Sequence, residues 1–122
     1  MAKILIAEDD KFLANAYRLK FTKSGFTVKL AIDGEEAIKE LESFTPDLII
    51  LDLIMPKKDG FMVLEDLSKN SKWKSIPVIV ATNLEQKEDI DRAKSLGAID
   101  YIVKSNVTIE EIVNKVKHLL KL

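Results

Sequence analysis

Four stretches of this sequence end an apolar run on a side chain able to do chemistry. KILIA (3–7) runs into Glu8, Asp9 and Asp10, LIIL (48–51) into Asp52, PVIVA (77–81) into Thr82, and DYIV (100–103) into Lys104. Of the eight residues from Leu48 to Met55 only Asp52 is polar, and a carboxylate avoids such company unless something compensates it. Gathered in one place, these acids would repel one another by about 4 kcal/mol per pair at ~4 Å and an effective dielectric of ~20, so the set calls for a cation. With oxygen ligands only, and neither cysteine nor a nearby histidine, a hard ion such as Mg²⁺ suits it. A divalent ion, an ammonium and a hydroxyl around one carboxylate are the parts that phosphoryl transfer needs, and carboxylates do form aspartyl phosphates. In that chemistry Asp52 is the nucleophile.

The elements that must position these groups alternate strictly. Lys3 to Ala7 reads as a buried strand, and the helix after it carries Leu13, Ala16, Tyr17 and Phe21 at steps of three and four, with Gly25 beyond its last turn. Thr27 to Ala31 alternates like an edge strand. Asp33 and Glu36 have capping-box spacing ahead of a helix bearing Ala37, Ile38 and Leu41. Leu48 to Asp52 is apolar enough for a central strand covered on both faces, and Val63, Leu64 and Leu67 mark the helix after the Pro56–Gly60 loop. Pro77 opens another central strand ending at Thr82. A fourth helix spans about Glu85 to Leu96, with Ile90 and Ala93 inward and Gly97 as its stop. Tyr101 to Lys104 is a fifth strand, and Thr108 and Glu111 form a capping box for a last helix with Ile109, Ile112, Val113, Val116, Leu119 and Leu120 on its apolar stripe.

This pattern predicts an α/β fold: a doubly wound five-stranded parallel sheet with helices on both faces, all in one domain over residues 1–122; in the flavodoxin-like order 2-1-3-4-5, the arrangement expected here, strands 1, 3, 4 and 5 are neighbours. Such sheets bind ligands beyond the carboxyl ends of their strands, which is where the acids, Thr82 and Lys104 fall.

Composition narrows the functions. Nineteen basic against twenty acidic residues give a net charge of −1, so no positive field recruits nucleic acid or an anionic membrane. Without cysteine there is no disulfide, thiolate metal site or cysteine nucleophile. The apolar run Ile4 to Ala7 is too short for a signal peptide core or a membrane span, and the cytoplasm is the expected compartment. His118, the only histidine, lies between Val116 and Leu119 and is expected to face solvent without a catalytic role. Trp73 is expected at the end of the sheet away from the acids, and the lysines at 57, 58, 69, 72 and 74 read as loop charges that favour solubility.

Taken together, ILIAEDD, PDLIILDLIMPKKDG, the hydroxyl of IVAT and DYIVK, in this order along nearly the whole chain, resemble the receiver domain of bacterial two-component response regulators. The resemblance implies that Asp52 is the phosphoacceptor and that Glu8, Asp9, Asp52 and the backbone carbonyl of Ile54 hold Mg²⁺, with Asp10 a spectator. It implies that Lys104 pairs with a phosphoryl oxygen, that Thr82 moves toward the phosphoryl group, and that Tyr101 is an aromatic switch. A histidine kinase or histidine phosphotransferase is then the donor. The face of helix 4, strand 5 and helix 5 binds a downstream protein, and the chain is a monomer or a phosphorylation-dependent dimer. Such a domain catalyses only its own phosphorylation and dephosphorylation.

Three positions depart from the pattern: Ser105 where proline usually follows the lysine, Asn83 where alanine or glycine is common, and Lys58 where a hydrophobe is common. Ser105 and Asn83 lend support to an alternative, an unphosphorylated docking scaffold; a small Mg²⁺-dependent phosphatase on a related sheet is a second one. Ile54 and Leu84, two residues beyond Asp52 and Thr82, are apolar and unable to orient a hydrolytic water, so a slowly decaying phosphoform is expected.

Overall fold

The computed structural model describes residues 2–122. Its elements are β1 (Lys3–Ala7), α1 (Lys11–Lys23), β2 (Thr27–Ala31), α2 (Gly34–Leu41), β3 (Leu48–Leu51), α3 (Gly60–Lys69), β4 (Val78–Thr82), α4 (Lys87–Ser95), β5 (Asp100–Val103), a short 3₁₀ turn (Lys104–Asn106) and α5 (Ile109–Leu119). The five strands form one parallel sheet of order β2-β1-β3-β4-β5.

The strand sequences explain that order. β3 and β4 are buried at every position, as apolar strands must be when helices cover both faces, whereas β2 and β5 alternate or are half-buried at the two edges. Successive side chains point to opposite faces, which divides the core in two. Leu5, Ala7, Ile49, Leu51, Val78 and Val80 pack with Leu41 of α2, Leu64 and Leu67 of α3 and Ala93 of α4. Ile4, Ile6, Leu48, Ile50, Ile79 and Ala81 pack with Tyr17 and Phe21 of α1 and Ile112, Val113 and Val116 of α5. Each fully buried Leu or Ile contributes about 1.5–3 kcal/mol through removal of apolar surface from water.

Local signals place the helix starts. Asp10 caps α1 by accepting from Leu13 N–H (3.1 Å), Asp59 caps α3 through Met62 N–H (2.9 Å), and Thr108 with Glu111 forms a reciprocal capping box on α5. At α2 the pairing is offset, because Asp33 accepts from Glu36 N–H but the Glu36 carboxylate takes the N–H of Ile32. Other expectations shift by a residue or a turn. Ala14 is buried on α1 beside Tyr17 and Phe21 in the helix's inward stripe, whereas Ala16 is only half-buried. α4 spans Lys87–Ser95 rather than Glu85 to Leu96, since its N-cap, Gln86, makes no side-chain bond that could fix an earlier start. Leu119 is exposed in the last turn of α5.

Candidate functional site

The acids stand where the parallel ladders run out. Glu8 N–H donates to Ala31 O (2.9 Å) and Asp52 N–H to Ala7 O (3.0 Å), so each residue keeps its backbone in the sheet while its side chain leaves the core. Both side chains are buried nevertheless, and Asp9 between them is exposed. One carboxylate oxygen from each of Glu8, Asp9 and Asp52 lies within 4.8 Å of the others.

A cation already serves two of them. Lys104, carried by the 3₁₀ turn after β5, places its ammonium 2.6 Å from Glu8 Oε1 and 3.0 Å from Asp52 Oδ2. The charge that crowded acids demand therefore comes in part from within the chain. Burial pushes the Glu8 carboxyl above its ordinary value, opposed by the bonds from Lys104 and from Asp10 N–H and aided by the charge of Asp52. For Lys104 burial alone would lower the pKa, but the bond to Glu8 and the charge and bond of Asp52 outweigh it and hold it above its usual value. At neutral pH the lysine is charged.

The oxygen set fits a hard divalent ion. Carboxylate oxygens from three residues, with no nitrogen or sulfur among them, are the donor chemistry such an ion takes. Glu8 Oε1 accepts from Lys104 and its Oε2 from Asp10 N–H (3.1 Å). The Ile54 side chain is exposed and its N–H donates to Asp52 Oδ1 (3.3 Å), which lays the Leu53–Asp59 loop beside the acids.

Thr82 and Tyr101 form a second set, linked through the backbone of one residue, Leu84. Leu84 N–H donates to Thr82 Oγ1 (3.4 Å), and the Tyr101 hydroxyl donates to Leu84 O (2.7 Å). Thr82 is fully buried at the end of β4, next to β3, and Tyr101 is half-buried on the edge strand. Thr82 does not cap α4, which starts five residues later. Burial, with the charges of Asp89 and Asp52, pushes the Tyr101 phenol up to about 12. Between β5 and α5 lies a surface cavity of about 380 Å³ lined by Tyr101, Ile102, Val107 and Ile112, with Lys115 paired to Asp100 across its rim (2.6 Å).

Sequence reasoning missed three contributors. Tyr17 is buried on α1, close enough to the site for Lys104, Glu8 and Asp52 all to act on its phenol. Its 3.6-residue spacing showed an inward position but not the site beneath which it would lie. Gly60 packs on Asp52, where an added Cβ would meet the Asp52 carbonyl oxygen at 2.3 Å, and Gly34 similarly abuts Lys58. Of the loop lysines, Lys57 pairs with the buried Asp33 (3.7 Å) and Lys58 with Asp66. His118 is exposed and Trp73 lies in the turn before β4, both as expected.

The family pattern of the response regulator receiver domain matches residues 4–117. The chain belongs to the response regulator receiver family. It is 40% identical to the transcriptional regulatory protein CiaR of Streptococcus pneumoniae over 121 residues, 99% of this chain and 52% of CiaR. Among solved structures it resembles a Francisella response regulator receiver domain (32% identity, TM-score 0.89, covering 99% of this chain and 98% of that one). It also resembles the phosphorylated cyanobacterial phytochrome response regulator RcpA (31%, TM-score 0.84, 97% and 90%). The chain spans about half the length of the curated relatives it matches. As a receiver domain it is the phosphoacceptor module of two-component signalling, a family that works with histidine kinases and output domains rather than turning over a free substrate. Among the described residues no helix is long and apolar enough to cross a membrane.

Proposed function

We propose that Asp52 accepts a phosphoryl group from the phosphohistidine of a histidine kinase or histidine phosphotransferase in a Mg²⁺-dependent step. An Asp52 carboxylate oxygen attacks phosphorus, the P–N bond breaks, and the imidazole leaves with the electron pair of that bond. Mg²⁺, when bound, would neutralise the phosphoryl oxygens; Glu8, Asp9, Asp52 and the Ile54 carbonyl are the groups that would hold it. Lys104 then exchanges its bond to the Asp52 carboxylate for one to a phosphoryl oxygen. The observation that carries this reading is the Lys104 ammonium bonded to Asp52 and Glu8, 52 and 96 residues away in sequence, within one oxygen-lined cluster.

Thr82 and Tyr101 act as the switch, because both bond to the backbone of Leu84 and a shift of either side chain moves the β4–α4 loop. The α4, β5 and α5 face is the downstream docking surface, the unit works in the cytoplasm as a single domain over residues 1–122, and phosphorylation, worth about −1.5 to −2 charges, shifts its population between two packings and, where it dimerises, toward the dimer. Contact with nucleic acid, where a longer chain makes it, falls outside this near-neutral domain. The scaffold reading gains nothing from Ser105, because Lys104 reaches Asp52 with serine in that place.

Incubation with a small phosphodonor and Mg²⁺, followed by intact-mass measurement, is expected to show one phosphate per chain in wild type and none in Asp52→Asn. No gain at any donor concentration favours the scaffold, and steady hydrolysis of a free phosphate ester favours the phosphatase. The labelled form should persist far beyond seconds, with Ile54 and Leu84 beside the site.

A further inference from the structure

The loop that follows Asp52 is fastened on three sides, and two of the fastenings come from residues outside the acid cluster. At its base Gly60 N–H donates to Leu53 O (2.9 Å), and an added Cβ at Gly60 would meet the Asp52 carbonyl oxygen at 2.3 Å. Toward α2, the Lys58 carbonyl rests on Gly34, where an added Cβ would lie 1.9 Å from that oxygen, and Lys57 Nζ is 3.7 Å from the buried Asp33. Toward α3, the Lys58 ammonium pairs with Asp66. Between these anchors Lys57 is held at φ 68°, a left-handed conformation that a lysine adopts only when its surroundings impose it.

Gly34 itself needs no positive φ, so helix propensity alone would favour alanine at this position in the first turn of α2. The space is withheld by the loop.

We infer that the first turn of α2 and the Lys58–Asp66 pair are positioning elements for the metal-directed loop: Gly34 lets the Lys58 carbonyl seat, and the seated loop aims the Ile54 carbonyl at the acids. This rests on the Mg²⁺ reading of the site. Outer supports of metal ligands commonly change affinity by about 10–100-fold when altered. Lys58 offers a sign test. Deleting a positive charge close to an acidic cluster strengthens Mg²⁺ binding if only long-range electrostatics matters, whereas loss of a support weakens it.

The test is calorimetric titration of the metal-free protein with Mg²⁺ alone, for wild type, Gly34→Ala, Lys58→Met and Lys58→Arg. Gly34→Ala is expected to raise the Mg²⁺ Kd at least about tenfold and Lys58→Met by roughly tenfold, while Lys58→Arg, which keeps a cation for Asp66, stays close to wild type. If Gly34→Ala does not fold, the two Lys58 variants decide. Unchanged or tighter binding by Lys58→Met, or an equal loss in Lys58→Arg, overturns the positioning role. A wild type that binds no Mg²⁺ overturns the metal reading and this inference with it, so the two failures look different.

Discussion

Lys104 shows how much one side chain settles in this protein. Its ammonium lies between two buried carboxylates with little solvent to screen them, a geometry in which removal of one partner leaves uncompensated charge and costs about 3–5 kcal/mol. Lys104→Met is accordingly expected to destabilise the metal-free protein by about 3 kcal/mol in chemical denaturation at pH 7, with millimolar Mg²⁺ restoring much of the loss. A change under 1 kcal/mol would mean that Glu8 takes up a proton instead of suffering the loss. The chemical identity of this residue was readable at the end of DYIVK, but its bond to Glu8 was not. Crowded acids imply a cation, and no spacing in the sequence says whether the chain supplies it.

At the scale of elements, α4 differs from its neighbours. It buries only Ala93, has no side-chain N-cap bond, and is held at its outer side by the Arg92 guanidinium stacked 4.2 Å over the ring of Phe61. α5 buries Ile112, Val113 and Val116 and begins with a reciprocal capping box. Local opening follows such differences in burial and capping, so amides of α4 should exchange with solvent on the order of tenfold faster than those of α5. Equal protection of the two helices in hydrogen exchange would contradict this. The weak start of α4 was foreshadowed by its sequence, where no Ser, Thr, Asp or Asn stands at the cap; expecting it at Glu85 took the polar run after Leu84 as helix, while the chain there remains a loop tied to Tyr101.

For the whole molecule, stability against pH reports how the two faces of the sheet meet the site. Tyr17, buried among Ile4, Ile6 and Ile112 on one face, has its phenol pushed up to about 12, first by burial and then by the balance of Lys104 against Glu8 and Asp52. The folded state thus keeps a proton that the unfolded chain releases near pH 10. Its contribution is fully present below pH 10 and is lost as pH rises toward about 12, amounting to about 2–3 kcal/mol. Denaturation at pH 9 and pH 11.5 should show a steeper fall for wild type than for Tyr17→Phe, which keeps the ring and lacks the titrating group. Parallel falls would place the phenol in contact with water.

The alternation of strands and helices, the covering of both sheet faces and the identities of the acids, the hydroxyl and the lysine follow from the sequence alone, because burial leaves a periodic mark on each short segment and parallel strands end on the same rim. Tertiary structure decided which of those groups touch. The Lys104–Glu8 bond, the seat of Lys58 on Gly34 and the place of Tyr17 beneath the site join residues far apart along the chain, and their distances depend on sheet register and loop path, which local periodicity does not encode.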